Sequence, residues 1–387
     1  IDGGGGANSV TGPNVATAWT ITGNNAGTIN PGVGATPLTN IQTFTGGSAV
    51  DTFTFNGNFQ LSGINGGGGT NSLTGPNVAT AWTITGNNAG TINPGVGATL
   101  LTNIQSFTGG SAADTYTFNG NFQLSGINGG GGTNSVTGPN VATAWTVTGN
   151  NAGTINPGVG VTPLTNIQSF TGGSAADTFT FNGNFLLSGI DGGGGANSVT
   201  GPNVATAWTI TGNNAGTINP GVGATLLTNI QSFTGGSAAD TYTFNGNFQL
   251  SGINGGGGTN SVTGPNVATA WTVTGNNAGT INPGVGATPL TNIQTFTGGS
   301  AADTYTFNGN FQLSGINGGG GANSVTGPNV ATAWTVTGNN AGTINPGVGA
   351  TPLTNIQTFT GGSAADTFTF NGNFQLSGID GGGGPIA

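Results

Sequence analysis

Asn58-Phe59-Gln60-Leu61-Ser62-Gly63-Ile64-Asn65-Gly66-Gly67-Gly68-Gly69-Thr70-Asn71-Ser72-Leu73-Thr74-Gly75-Pro76 decides how the chain is read. Short runs with apolar residues at alternate positions flank a glycine cluster, which is the pattern of strand, tight turn and strand. Gly and Asn suit the turn because both tolerate positive φ. No stretch of the chain carries a helical period, so an all-β structure is expected.

Working outward, the same stretch returns along the whole chain. Trp19, Trp82, Trp145, Trp208, Trp271 and Trp334 stand 63 residues apart. Self-similarity at a fixed period marks a repeat architecture. Six copies cover 1–63, 64–126, 127–189, 190–252, 253–315 and 316–378, and a partial copy covers 379–387. With no linker or change of composition between them, 1–387 reads as one continuous domain.

Each copy divides again. Asn58 to Pro76, Asn77 to Val96 and Gly97 to Gly120 each read as strand, small-residue turn, strand and return. The expected fold is therefore a β-solenoid, β-helix-like or β-roll-like, with about three coils per repeat and two main strands per coil. That gives about 18 coils and a rod of roughly 85 Å at the usual strand spacing. Superposing the thirds places Leu73, Ile92 and Tyr116 in one inward column and Ile64, Ile84 and Phe107 in another. Ser72, Thr91 and Thr115, with Thr74, Asn93 and Thr117, then face outward. An imperfect match before Ile64 predicts a bulge or kink near Gly63. Copy-to-copy exchanges fit this facing: Val10 with Leu73 stays apolar, whereas the exchanges of Gln60 with Leu186 and Pro37 with Leu100 mark exposed or loop positions. Phe53 alternates with Tyr116, so that ring edge should meet water or a polar neighbour.

Composition narrows the function. The chain has 82 Gly among 387 residues, no Lys, Arg, His, Cys or Met, and nine acidic residues, all Asp, for a net charge of −9. Only 2% of residues are charged, so the surface must be wetted by Thr, Ser, Asn and Gln. One third of the residues are hydrophobic, with β-branched and aromatic types recurring, which argues against disorder. Without basic residues, nucleic acid and anionic membrane surfaces are poor partners. No apolar run approaches the roughly 20 residues of a membrane-spanning helix. Catalysis would have to work with Asp, Ser, Thr and Tyr alone, and no pair of carboxylates is in view, so the chain reads as a non-enzyme.

Two turns invite a metal. Gly109-Gly110-Ser111-Ala112-Ala113-Asp114-Thr115-Tyr116-Thr117 is similar to the calcium-binding nonapeptide G-G-x-G-x-D-x-U-x. Gly66-Gly67-Gly68-Gly69-Thr70-Asn71-Ser72-Leu73-Thr74 matches it with Asn in the Asp place. The chain thus resembles a degenerate relative of the RTX-type β-roll and of the large repetitive exoproteins of bacteria. The resemblance implies a calcium-binding adhesin stalk with Asp51, Asp114, Asp177, Asp240, Asp303 and Asp366 as ligands, one per copy and some 14 Å apart. Asn71 and Gly90 stand where a second carboxylate would be wanted, and calcium prefers several. The plainer reading is a turn Asp accepting backbone N–H bonds, with no resident cofactor. Asp2, Asp191 and Asp380 exchange with Asn65 at their position, so charge is dispensable there. Gly3-Gly4-Gly5-Gly6 is not a phosphate loop, since no Lys or helix follows.

Thr20-Ile21-Thr22, Thr43-Phe44-Thr45 and Thr52-Phe53-Thr54 are T-x-T units that look like the ranks of ice-binding β-solenoids, although Ser62, Ser72, Asn93 and Ser106 break them. Trp19 shares a face with Ile21 and is expected in the core rather than as a sugar platform. The polar surface still suits polysaccharide contacts. Both ends carry Ile-Asp-Gly-Gly-Gly-Gly without a charged or proline-rich cap. The expectation is a structural protein, extracellular or on the cell surface. It would be a filament, adhesin or biofilm-matrix fibre that self-associates end to end and laterally without membrane insertion.

Overall fold

The computed structural model describes residues 1–384. Among them are 42 strands and no helix, seven strands to each 63-residue repeat. The chain forms two compact units, Ile1–Phe181 with Phe185–Asn197, and Asn182–Asn184 with Ser198 onward. Each is an all-β solenoid.

In the first unit the strands form two sheets. One runs Ser9–Thr11, Thr43–Thr45, Gly63–Asn65, Thr99–Thr102, Ala89–Asn93, Ala81–Gly86, Thr115–Phe118, Ser135–Thr137, Ser169–Thr171 and Gly189–Asp191. The other runs Thr36–Leu38, Ala26–Asn30, Thr17–Gly23, Asp51–Phe55, Ser72–Thr74, Ser106–Thr108, Gly126–Asn128, Thr162–Thr165, Ala152–Asn156, Ala144–Gly149 and Thr178–Phe181. Pairing is parallel, in register, except inside one three-stranded meander per repeat, such as Ala81–Gly86, Ala89–Asn93 and Thr99–Thr102, which is antiparallel. The second unit repeats this pattern, with meanders beginning at Ala207, Ala270 and Ala333.

The meander corrects the expected stacking. The stretch from Asn77 to Val96 is not a coil. Its turn, Asn87-Asn88, has only two residues between paired strands, with Asn88 at φ 57°. A two-residue turn returns the chain to the neighbouring strand position, whereas a coil must cross the roughly 10 Å between facing sheets. The six-residue turns Gly66 to Asn71 and Gly109 to Asp114 do cross. Leu73 therefore lies beside Phe53 and Phe107. Ile92 and Tyr116 lie on either side of Trp82 in the other sheet. Ile64 pairs with Phe44 and Leu101, Ile84 with Gly90 and Phe118, and Phe107 with Leu73 and Ile127. Gly63 is in regular register, and the bulge falls at Ala89/Gly90 instead. The facing was read correctly, since Leu73, Ile92, Tyr116, Ile64, Ile84 and Phe107 are all buried.

A repeat thus makes five passes between the sheets rather than the six of three full coils. An odd number has a consequence. The meander of the first repeat lies in one sheet, that of the second in the other, and that of the third back in the first. Equivalent residues return to the same sheet only after two repeats.

The core is a row of stacked aromatic rings and aliphatic side chains. Trp82 lies between Phe107 of the opposite sheet, at 5.3 Å, and Tyr116 of its own, at 5.6 Å. The same sandwich recurs around Trp19, Trp145, Trp208, Trp271 and Trp334. Offset stacking adds to the area each ring buries. Where Tyr replaces Phe the hydroxyl finds a polar neighbour: Tyr116 donates to the Asn128 carbonyl at 3.1 Å. Two glycines are required by close approach. A Cβ on Gly110 would strike the Pro76 carbonyl of the adjacent coil. Gly67, at φ 73°, packs against the carbonyls of Gly46 and Gly47.

Candidate functional site

The corners of the solenoid carry its buried aspartates and asparagines. Asp114 closes the turn that begins at Gly109 and precedes Thr115–Phe118. It is buried. Its Oδ1 accepts the Thr80 N–H of the adjacent coil at 2.9 Å, and its Oδ2 accepts the Gly110 N–H of its own turn at 3.0 Å. Its own N–H donates to Asn134 Oδ1 of the next coil at 2.8 Å. Asp51, Asp177, Asp240, Asp303 and Asp366 hold the same two donors, from Thr17, Thr143, Thr206, Thr269 and Thr332 and from Gly47, Gly173, Gly236, Gly299 and Gly362.

Asn134 closes the turn that begins at Gly129, and its amide works in both directions. Oδ1 accepts from Asp114, while Nδ2 donates to the carbonyls of Gly131 and Asn166 at 3.0 Å each. Its N–H donates to Gln168 Oε1 at 2.6 Å. Asn71 does the same with Asp51, Gly68, Asn103 and Gln105. A chain of side-chain acceptors thus climbs each corner from coil to coil: Gln168, Asn134, Asp114.

Sequence reasoning singled out the aspartates but assigned Asn71 only the absence of a carboxylate, and passed over the glutamines. A signal was present. Gln42, Gln105, Gln168, Gln231, Gln294 and Gln357 never vary between copies, although the next residue alternates between Thr and Ser. Exposed Gln60, by contrast, gives way to Leu186.

No basic residue exists to balance the buried carboxylates. Burial pushes Asp114, Asp240 and Asp303 up to about 6, against the opposing pull of their N–H donors. Burial also raises Asp51 and Asp177. The three aspartates that rise to about 6 belong to the copies with tyrosine two residues on. The phenols of Tyr116, Tyr242 and Tyr305 are driven far up by burial and then by the neighbouring carboxylate. Asp2 differs. It is exposed, accepts Gly4 N–H at 2.9 Å and Asn40 Nδ2 at 2.7 Å, and is lowered by these bonds. Asn65 accepts the same pair of donors, from Gly67 and Asn103, which explains why Asp and Asn exchange there.

The aspartates do not lie in one row at 14 Å. Asp51 opens and Asp177 immediately precedes a strand of one sheet of the first unit, and Asp114 sits at the other. Seven strand steps separate the strands of Asp51 and Asp177, or roughly 34 Å. Among the described residues no group of three or more carboxylates gathers. Both oxygens of each corner carboxylate face N–H donors, and the neighbouring coil presents an Asn whose Nδ2 already holds the turn carbonyls. These residues do not fit a calcium ion, which needs several carboxylate or carbonyl oxygens turned toward it.

The outer sheet faces carry few charges, with Asp191 and Asp380 at strand positions that elsewhere hold Asn. Thr20, Thr54, Thr74 and Thr108 form one in-register rank, continued by Asn128, while the parallel rank reads Ala18, Thr52, Ser72, Ser106 and Gly126. A shallow notch of about 230 Å³ opens over Gly126 beside Pro163, and one of about 190 Å³ recurs over Gly252 beside Pro289. The tryptophans are buried and reach neither. Compared with known proteins, the chain matches no family model, and no curated protein is similar to it in sequence.

Proposed function

We propose that the chain is a non-enzymatic structural element, a segment or subunit of an extracellular or cell-surface fibre such as an adhesin stalk or a matrix filament. One observation supports this reading above the others. In the repeats the buried Asp and Asn side chains that could do chemistry, and the half-buried Gln beside them, are engaged in tying one coil to the next. A solenoid gains stability from such nearest-neighbour contacts, so lengthening costs nothing in fold. Composition agrees. Without Lys or Arg the chain offers trypsin no site, and without Cys or Met it has no readily oxidised sulfur.

Electron microscopy of the purified chain across a concentration series tests the proposal. Thin filaments much longer than one chain, growing with concentration, are expected. Short particles of one length at every concentration would count against it. A second reading, binding to ordered water or ice, rests on the threonine rank Thr20, Thr54, Thr74 and Thr108. Its broken companion rank argues for weak activity, and a thermal-hysteresis assay decides it.

A further inference from the structure

The chain contains Asn-Gly dipeptides in two settings, and the structure treats them in opposite ways. The first set lies in the loop after each Asp-led strand: Asn182 in the third repeat, and Asn56, Asn119, Asn245, Asn308 and Asn371 in the others, all exposed. The backbone N–H of each of the latter five is tied to the adjacent coil, for example Asn119 to the Ile84 carbonyl at 2.9 Å. The following peptide is not. The N–H groups of Gly57, Gly120, Gly246, Gly309 and Gly372, and the side-chain amides of the five asparagines, find no hydrogen-bond partner among the described residues. The carbonyls of Gly57, Gly120, Gly246 and Gly309 are held, as where Phe122 N–H donates to Gly120 at 3.0 Å.

The second set ends a strand: Asn65, Asn128, Asn254 and Asn317. Here the following glycine N–H is locked. Gly66, Gly129, Gly255 and Gly318 donate to the carbonyls of Thr102, Thr165, Thr291 and Thr354, each at 2.8 Å. The carboxamide is also fixed. Asn128 Oδ1 accepts Gly130 N–H at 3.0 Å and Asn166 Nδ2 at 2.8 Å.

We propose that the loop asparagines are spontaneous deamidation sites and that the strand asparagines, with the same dipeptide, are kept unreactive by the fold. In the reaction the Gly120 amide nitrogen gives up its proton to solvent and attacks Asn119 Cγ. The new N–Cγ bond forms as the Cγ–Nδ2 bond breaks, and Nδ2 leaves as ammonia. Water then opens the succinimide at either carbonyl to give aspartate or isoaspartate. No oxidant, reductant or enzyme is required. The glycine nitrogen must be free to lose its proton, and Cγ free to swing toward it. The loop meets both conditions. The strand meets neither until a local opening breaks the ladder. Each event adds one negative charge to an exposed loop of a chain that holds no positive side chain, so charge accumulates with age along the repeats.

The test is a time course of the intact folded chain at mildly alkaline pH, with chymotryptic peptide mapping and fragmentation to place each amide-to-acid change, run in parallel in concentrated urea. Folded, the loop asparagines should convert at least about tenfold faster than the strand asparagines, the difference expected if one or two ladder bonds must open first. In urea the two sets should converge. Asn119→Gln should remove the signal from that loop alone, with an unchanged melting curve. Equal folded rates, faster strand conversion, or no conversion in the folded chain while urea permits it would each overturn the proposal.

Discussion

The turn from Gly109 to Asp114 and the turn from Gly129 to Asn134 share a glycine-rich sequence and a place at a solenoid corner, yet one closes on a carboxylate and the other on an amide. The difference follows from what surrounds each. Asp114 faces two N–H groups and needs only acceptors. Asn134 faces an N–H on one side and two carbonyls on the other, so it needs an acceptor and a donor on one side chain. The carboxamide nitrogen gathers turn carbonyls much as a cation would, and it does so without charge. The lesson is that amide and carboxylate corners are assigned to opposite hydrogen-bonding needs.

The most damaging way to break this comparison is to exchange the amide. Asn134→Asp would set a buried carboxylate against the Gly131 and Asn166 carbonyls and remove both donors. A loss of about 3–5 kcal/mol is expected in urea unfolding, the range for an uncompensated buried charge. The reverse exchange is milder. Asp114→Asn keeps one acceptor, loses the other and leaves one backbone N–H unpaired, at about 1–3 kcal/mol.

Asp114→Asn also sharpens the comparison through pH. The folded-state values of Asp114, Asp240 and Asp303 rise from 3.8 to about 6. Between those values the folded chain binds more protons than the unfolded one, so stability falls as pH rises through this window. Melting temperature should therefore climb by several degrees as pH is lowered from 7 toward 4, the opposite of ordinary acid denaturation. Asp114→Asn should flatten part of that slope. The smallest effect is expected from Tyr116→Phe, which restores the ring found at Phe53 and Phe179. Losing the bond to the Asn128 carbonyl should cost about 1 kcal/mol, read as a slightly lower melting temperature.

Much of the solenoid was legible in the sequence. The 63-residue period, the absence of helix and the inward side chains of each strand follow from alternation and punctuation. The stacking order was not. Asn87-Asn88 and the glycine-rich turns look alike as small-residue clusters, but only the longer ones span two sheets. Reading both as the same kind of turn turned a meander into a coil and hid the odd number of passes. The corner network was half legible. The position of Asp114 at a turn could be read, whereas its partner Thr80, 34 residues earlier, depends on which strands stack. Gln168 was missed because a lone neutral amide carries no motif, and the Asn134 position, seen through Asn71, counted only as a missing carboxylate; constancy between copies marks both.

The central claim is that Ser72–Thr74 stacks on Ser106–Thr108, so that five passes make one repeat. In a chain without cysteine, two double variants test it: Thr74→Cys with Thr108→Cys, and Thr74→Cys with Asn93→Cys. The pairing in the structure places Thr74 beside Thr108 on one outer face and Asn93 in the other sheet, so the first pair should oxidise to a disulfide and the second should not. Closure of the second pair and not the first would mean that the three segments of each repeat stack as equal coils, and would contradict the account.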